Sequence, residues 1–177
     1  MKKEISCGKI QVYTGTGKGK TTAALGLAFR ALGQNKNVLL IQFLKQGNHL
    51  GELKAARRFK RFKIVQTGRK KDPNSCRVNA KDKQLAQKGL ARAQTAIKSG
   101  TYDLIILDEL NPAVYFKLIK PEQVLAMLKH KPAATELVIT GRYADRQLVE
   151  IADLVSEIKE IKHYYNSGLI ARPGIEY

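Results

Sequence analysis

Short apolar runs alternate along this chain with stretches in which apolar residues recur every three or four positions. Lys9 to Thr14 reads as a first strand, and Lys20 to Leu32 follows as an alanine- and leucine-rich helix stopped by Gly33. "NVLLIQF", Asn37 to Phe43, suits a buried parallel strand, and "KIVQT", Lys63 to Thr67, looks like a third. The basic segment between them is expected to be partly helical. After the polar loop "GRKKDPNS", the residues Ala86, Leu90, Ala93 and Ile97 share one helical stripe, ended by Gly100. "YDLIILDEL" is a strand closing on two acids. "ELVIT", Glu136 to Thr140, is another, after a helix starting near Pro121, and "IADLVSEIKEIKH" joins a short helix end to a last strand. This order predicts an α/β fold with a predominantly parallel sheet and helices on both faces. No linker divides it, so residues 1–177 are expected to form a single domain.

The junction of the first strand and first helix reads "VYTGTGKGKTTAALG", Val12 to Gly26. A phosphate loop is spelled Gly, four residues, Gly-Lys-Ser/Thr; here the count back from Gly19 lands on Thr14, and the first glycine falls one place late, at Gly15. Backbone N–H groups of such a turn, with the positive end of the following helix, make a concave anion site. Lys20 adds a mobile charge and Thr21 a hydroxyl suited to Mg²⁺. Gly15, Gly17 and Gly19 permit close backbone approach, and the fold expectation narrows to a P-loop NTPase-like α/β domain. Asp108 and Glu109 leave a strand at the edge where ligands of open α/β sheets collect. One acid is placed to bind Mg²⁺, directly or through water, and the other to act as a base in hydrolysis. "VITGR", Val138 to Arg142, repeats the pattern, and Arg142 can grip phosphate oxygens bidentately or pair with a surface acid. Arg30, on the first helix, is a further candidate for the nucleotide site.

Composition changes this picture in one respect. With 44% apolar and 27% charged residues the chain is an ordinary globular one, and it has no low-complexity tract or internal repeat. Two N-terminal lysines precede no apolar run, and no segment is apolar for long enough to span a bilayer, so a cytoplasmic location without membrane contact is expected. Cys7 and Cys76 lie far apart without a CxxC spacing and read as reduced, incidental thiols. His49, His130 and His163 have no metal-ligand spacing, and no Gly-x-Ser-x-Gly elbow occurs. An enzyme of this kind takes its nucleophile from the substrate. The exception is charge: 32 Lys and Arg face 15 Asp and Glu, a formal +17 that calls for a polyanionic substrate or partner. Lys54 to Lys71 holds nine basic residues and no acid. Within it, "RRFKRFK" interleaves Phe59 and Phe62 with cations, as a groove for single-stranded nucleic acid does. The favoured reading is a solvated face, with both rings turned to the core from one helical turn.

Taken together, "TGTGKGKTTAALGLAFRALG", "VLLIQFLKQG", "YDLIILDEL", "LVITGR" and the ending "VSEIKEIKHYYNSGLIARPGIEY" resemble the ATP:corrinoid adenosyltransferase family, in order from about Gly8 to Tyr177 and including the late first glycine. The resemblance implies that Co(I) of a corrinoid attacks the 5′ carbon of ATP and expels tripolyphosphate, with the nucleotide seated in the opposite sense from an ordinary P-loop NTPase. On that reading the protein aligns the 5′ carbon with cobalt and neutralises a polyanionic leaving group. Residues Gly15, Thr16, Gly17, Lys18, Gly19, Lys20, Thr21 and Thr22 would cradle the phosphates. Lys18, Lys20 and Arg142 would supply charge, and Mg²⁺ would sit on Thr21 and Glu109, with Asp108 beside them. ATP, Mg²⁺ and a corrinoid are the implied ligands, and a flavoprotein reductant and a homodimer are partners the resemblance allows.

Two features depart from the family pattern. Where the family carries an aromatic Gly-Phe-Thr-Trp segment after its third strand, thought to exclude the lower axial ligand, this chain has "TGRKKDPN", Thr67 to Asn74, and no Trp. Arg69 and Lys71 would then engage corrinoid carboxylates or amides, or the nucleotide tail, or mark another substrate. An aromatic such as Tyr143 or Tyr164 could stand in. Only about eight residues precede the first strand, so a lid built from an N-terminal extension is expected to be missing or reduced. The rival readings are a nucleic-acid-binding ATPase, carried by the basic run, and a non-catalytic nucleotide or corrinoid carrier, carried by the missing aromatics.

Overall fold

A computed structural model describes residues 7–69 and 78–177. Strands β1 (Ile10–Thr14), β2 (Val38–Phe43), β3 (Phe62–Thr67), β4 (Leu104–Asp108), β5 (Glu136–Thr140) and β6 (Leu154–Glu157) form one sheet in the order β3-β2-β4-β5-β1-β6. Every pairing is parallel. The central strands are apolar at consecutive positions because both of their faces are covered. Val38, Leu40, Leu104, Ile106 and Val138 meet Ala24 and Ala28 of helix α1 (Lys20–Gly33). The alternate residues Leu39, Ile41, Phe43, Ile105, Leu107 and Ile139 face the opposite layer. That layer consists of α3 (Ala80–Ser99), α4 (Leu110–Tyr115), α5 (Pro121–Leu128) and α6 (Arg146–Ile151). The expected helix layers on both faces are therefore present. Among the described residues no helix is long and apolar enough to cross a membrane.

The connection from β2 to β3 differs from expectation. Helix α2 (Gly51–Ala56) ends before the aromatic pair, so Phe59 lies in the following turn and Phe62 opens β3. The two rings do not share a helical turn. Phe59 is part-exposed and meets Phe29 of α1 edge to face at 6.5 Å. Arg57, Arg58, Lys60, Arg61 and Lys63 are all exposed, as a solvated face requires. Helix α4 has no counterpart in the sequence pattern: six residues with Pro112 at their third position are too short to display a periodic stripe.

Helix α3 packs tightly against β2 and β3 at Gly89. A Cβ there would stand 2.5 Å from Thr67 Oγ1 and 2.7 Å from Phe43 Cε1, and Phe43 is wholly buried. Gly89→Ala gains about 1 kcal/mol of helix propensity but forces a methyl group into a filled layer, at about 1–3 kcal/mol. The expected net result is a loss of about 1–2 kcal/mol, read as a lower urea midpoint with an unchanged denaturant slope.

Candidate functional site

β2, β4, β5 and β1 are neighbours in the sheet, and their C-terminal ends share one edge. Each delivers polar groups there: Lys45 follows β2, Asp108 and Glu109 close β4, Arg142 follows β5, and the glycine loop follows β1. Parallel sheets bind ligands at this edge because loops from adjacent strands converge on it. The backbone is strained in the same place. Leu44, Glu109 and Tyr143, one after each of β2, β4 and β5, have φ of 59°, 62° and 61°. Such conformations cost side-chain-bearing residues about 1–3 kcal/mol each and cluster at functional sites.

The late first glycine has a steric cause. Gly15 adopts φ 101°, and a Cβ on it would lie 2.4 Å from the carbonyl oxygen of Ile158; one on Gly17 would lie 2.7 Å from that of Lys159. The chain leaving β6 runs directly against the loop, and Gly17 N–H donates to Ile158 O at 2.8 Å. Small residues are needed at 15 and 17 for that brace, while Gly19, at φ 124°, turns the chain into α1.

Lys20 Nζ is buried and donates to Gly15 O at 2.8 Å and Gly17 O at 2.6 Å, closing the loop on itself. Burial, then repulsion from Arg142, lowers its pKa, against the opposing pull of Glu109. Thr21 Oγ1 donates to Asp108 Oδ1 at 2.8 Å, and Thr140 Oγ1 donates to the same oxygen at 2.7 Å. Lys45 Nζ lies 2.8 Å from Asp108 Oδ2. Asp108 is thus completely buried with both oxygens engaged. Glu109 caps α4 in the left-handed conformation, its N–H donating to Thr140 Oγ1 at 3.1 Å. Burial raises its pKa; Lys45 opposes the rise and Asp108 adds to it. Asn111 donates from Nδ2 to Gly141 O at 3.0 Å, and a Cβ on Gly141 would strike Pro112 Cδ at 2.2 Å. The turn bearing Arg142 is therefore packed onto the turn bearing Glu109.

These groups open on a cleft of about 970 Å³. Lys18, Lys20, Lys45, Thr21, Thr22, Glu109 and Arg142 are among its polar lining, with Gly17 and Gly19. Leu25, Phe29, Leu44, Phe59, Phe62 and Phe116 line its apolar walls. Gly15 and Thr16 belong to the same loop but are not among the residues that line the cleft. Arg30 is not brought to the site: it sits exposed in the last turn of α1, about 15 Å along the helix from Lys20, where a cation complements the helix dipole. Arg69 is tied to buried Asp82 of α3 through Nε, at 3.0 Å. Lys71 and Cys76 lie outside the described residues. Tyr143, exposed, stacks on Tyr115 at 4.3 Å and lines the cleft.

Sequence reasoning missed Lys45 and the C-terminal residues. The signal for Lys45 was present, because "FLKQG" leaves its strand as "LDEL" and "ITGR" leave theirs. Lys18, by contrast, pairs at 3.2 Å with Glu176, a contact nothing local announces. Among the described residues no group of three or more His, Cys, Asp and Glu could hold a metal unaided.

A family model described as ATP:corrinoid adenosyltransferase BtuR/CobO/CobP matches residues 6–177. The corrinoid adenosyltransferase of Escherichia coli K12 is 34% identical over 171 residues, covering 96% of this chain and 86% of that protein. The corrinoid adenosyltransferase CobA of Salmonella typhimurium is 34% identical over 178 residues, with the same coverage of each. The corrinoid adenosyltransferase of Pseudomonas aeruginosa is 32% identical over 180 residues, covering 96% of this chain and 84% of the relative.

Proposed function

Because the chain belongs to the ATP:corrinoid adenosyltransferase family, we propose that it transfers the 5′-deoxyadenosyl group of ATP to Co(I) of a corrinoid and releases tripolyphosphate. One observation carries the reading: a single cleft is lined by Lys18, Lys20, Lys45, Arg142 and the glycine loop together with a broad set of apolar side chains. The cations suit a polyphosphate, and the apolar side chains suit a bulky second substrate.

In this reaction the electron pair of Co(I) forms the cobalt–carbon bond as the C5′–O bond breaks, and the tripolyphosphate oxygen leaves with the bonding pair. The protein donates no electrons and no nucleophile. Its residues hold the 5′ carbon in line and stabilise charge that develops on the departing oxygen. Lys20 and Lys18, with the N–H groups of Lys18 to Thr22, would hold the phosphates, and Arg142 would close on them from the β5 side. Lys20 must exchange its two carbonyl partners for phosphate oxygens, whose negative charge would offset the burial and the repulsion from Arg142 that disfavour its ammonium.

The residues present fit Mg²⁺, an ion held by one or two carboxylates and a hydroxyl together with substrate phosphates. Glu109 and Thr21 would hold it, with Asp108, already bound to Thr21, Thr140 and Lys45, orienting the hydroxyl and acting through water. Bound there, the ion would neutralise phosphate charge. A cytoplasmic location, a flavoprotein reductant and a homodimer complete the proposal.

The test is an anaerobic assay with ATP, Mg²⁺ and chemically produced cob(I)alamin. A cobalt–carbon spectrum with one tripolyphosphate per adenosyl group is expected. ADP and orthophosphate as the sole products, with reduced corrinoid supplied, would refute the proposal and restore the ATPase reading. Binding of both substrates without product would point to a carrier.

A further inference from the structure

The end of the chain folds back over the glycine loop, and a single carboxylate organises it. Glu176 accepts hydrogen bonds from the Tyr164 hydroxyl, from Arg172 N–H at 2.7 Å, and from Arg172 Nε and Nη2 at 3.3 Å each. The Arg172 guanidinium also lies 5.0 Å from the centre of the Tyr164 ring. All these partners belong to the same terminal segment, which begins with the 3₁₀ turn Tyr164–Ser167. Lys18 reaches Glu176 from elsewhere, its Nζ 3.2 Å from Oε1 and 3.4 Å from the carbonyl oxygen of Ile175. At the other end, the Tyr177 ring meets His49 edge to face at 5.4 Å. Gly174 to Tyr177 thereby form a wall of the cleft, fastened to the glycine loop on one side and to the β2–α2 connection on the other.

We propose that Glu176 is a positioning residue that holds Lys18 before substrate arrives, and that the triphosphate takes Lys18 from it. The inference rests on the cleft being a polyphosphate site. Its physical basis is an asymmetry between the partners. Glu176 keeps Tyr164 and Arg172 when Lys18 leaves, so the carboxylate is not stranded. Lys18 is a half-exposed ammonium on a flexible stem, and an ion pair of that kind contributes little by itself. A triphosphate brings several charges to the same ammonium. The two lysines of the loop are thus both occupied by protein groups in the empty state, Lys20 by carbonyls of its own loop and Lys18 by the tail. Exchange at Lys20 changes only the loop, whereas exchange at Lys18 also unfastens the near end of the tail wall.

The test uses the full chain and inorganic tripolyphosphate, measured by calorimetry in the wild type, Glu176→Gln, Lys18→Ala and the double variant. The amide of Glu176→Gln carries no charge to compete for the ammonium. Its single oxygen can accept from Tyr164 and Arg172 Nη2, while its N–H₂ meets the Arg172 N–H and Nε that now donate to Oε2. The Lys18→Ala background shares that loosening of the tail, so it cancels in the comparison. Glu176→Gln is therefore expected to tighten tripolyphosphate binding about two- to five-fold, the range of an exposed ion pair, and to leave it unchanged in the Lys18→Ala background. An equal gain in both backgrounds would mean that Glu176 acts only as a nearby negative charge, and would overturn the exchange. So would a loss of affinity in Glu176→Gln. Amide hydrogen exchange over Arg172 to Tyr177 gives a second readout: tripolyphosphate should accelerate it in the wild type and have no such effect in Glu176→Gln. Unchanged or slower exchange in the wild type sinks the inference. If tripolyphosphate binds to none of the four proteins, the polyphosphate site itself falls, a failure separable from loss of the Lys18–Glu176 coupling alone.

Discussion

Lys20→Ala is expected to lower kcat/KM for adenosyl transfer by at least about 10²–10³-fold, the loss seen when one preorganised donor to a developing anion is removed, while leaving the folded state nearly as stable as before. The separation follows from what Lys20 does without substrate. Its ammonium is buried, close enough to Arg142 to be repelled, and satisfied by two loop carbonyls. Removing it exposes Gly15 O and Gly17 O to the cleft, where water can reach them, and relieves the burial of a charge. These contributions oppose one another, so a melting temperature within a few degrees of wild type is expected. The leaving group has no such compensation, because the buried charge is what it needs. A variant that melts normally but turns over at the wild-type rate would remove Lys20 from the mechanism. A variant that melts much lower would make the lysine structural.

The elements legible in the sequence are those whose cause is local. β2 and β4 are apolar at nearly every position because both faces are buried, and the phosphate loop declares itself within a dozen residues. The ends of α1 and α3 follow from Gly33 and Gly100, the latter adopting φ 61°. Asp108, Glu109 and Arg142 could be placed because a parallel strand has only one end at which ligands collect. What stayed hidden depends on contacts across the chain. Lys45 matters through Asp108, 63 positions away, and Lys18 through Glu176, at the far end of the chain. The grouping of Phe59 with Phe62 failed because a helical period was carried past the end of α2 into a turn and a strand. The lateness of the first glycine could be seen in the sequence, but its reason lies in the backbone of Ile158 and Lys159.

The largest stability effect is expected at Asp108. In Asp108→Asn, the amide oxygen can still accept from Thr21 and Thr140, but the amide nitrogen then faces Lys45, two donors about 2.8 Å apart where an ion pair stood. Turning the amide over restores the contact to Lys45 and sets its N–H₂ against both hydroxyls, which must then reorient as acceptors. Neither arrangement satisfies the site. Breaking a buried pair by neutralising one partner costs about 3–5 kcal/mol, and because Lys45 keeps 31% of its side chain exposed the expected loss is smaller, about 2–4 kcal/mol. For a chain of 177 residues that is a fall in melting temperature of roughly 5–15 °C. The double variant Lys45→Met, Asp108→Asn discriminates between causes. If the stranded ammonium is responsible, removing it recovers most of the loss; if the damage comes from the two threonines, the double variant melts no higher than the single one. Thr21 adds a consequence for binding: its hydroxyl is aimed by Asp108, so the single variant should also bind MgATP more weakly than the metal-free nucleotide would predict. That difference would identify Asp108 as the group that orients the ligand hydroxyl, and its absence would confine Asp108 to the stability of the sheet edge.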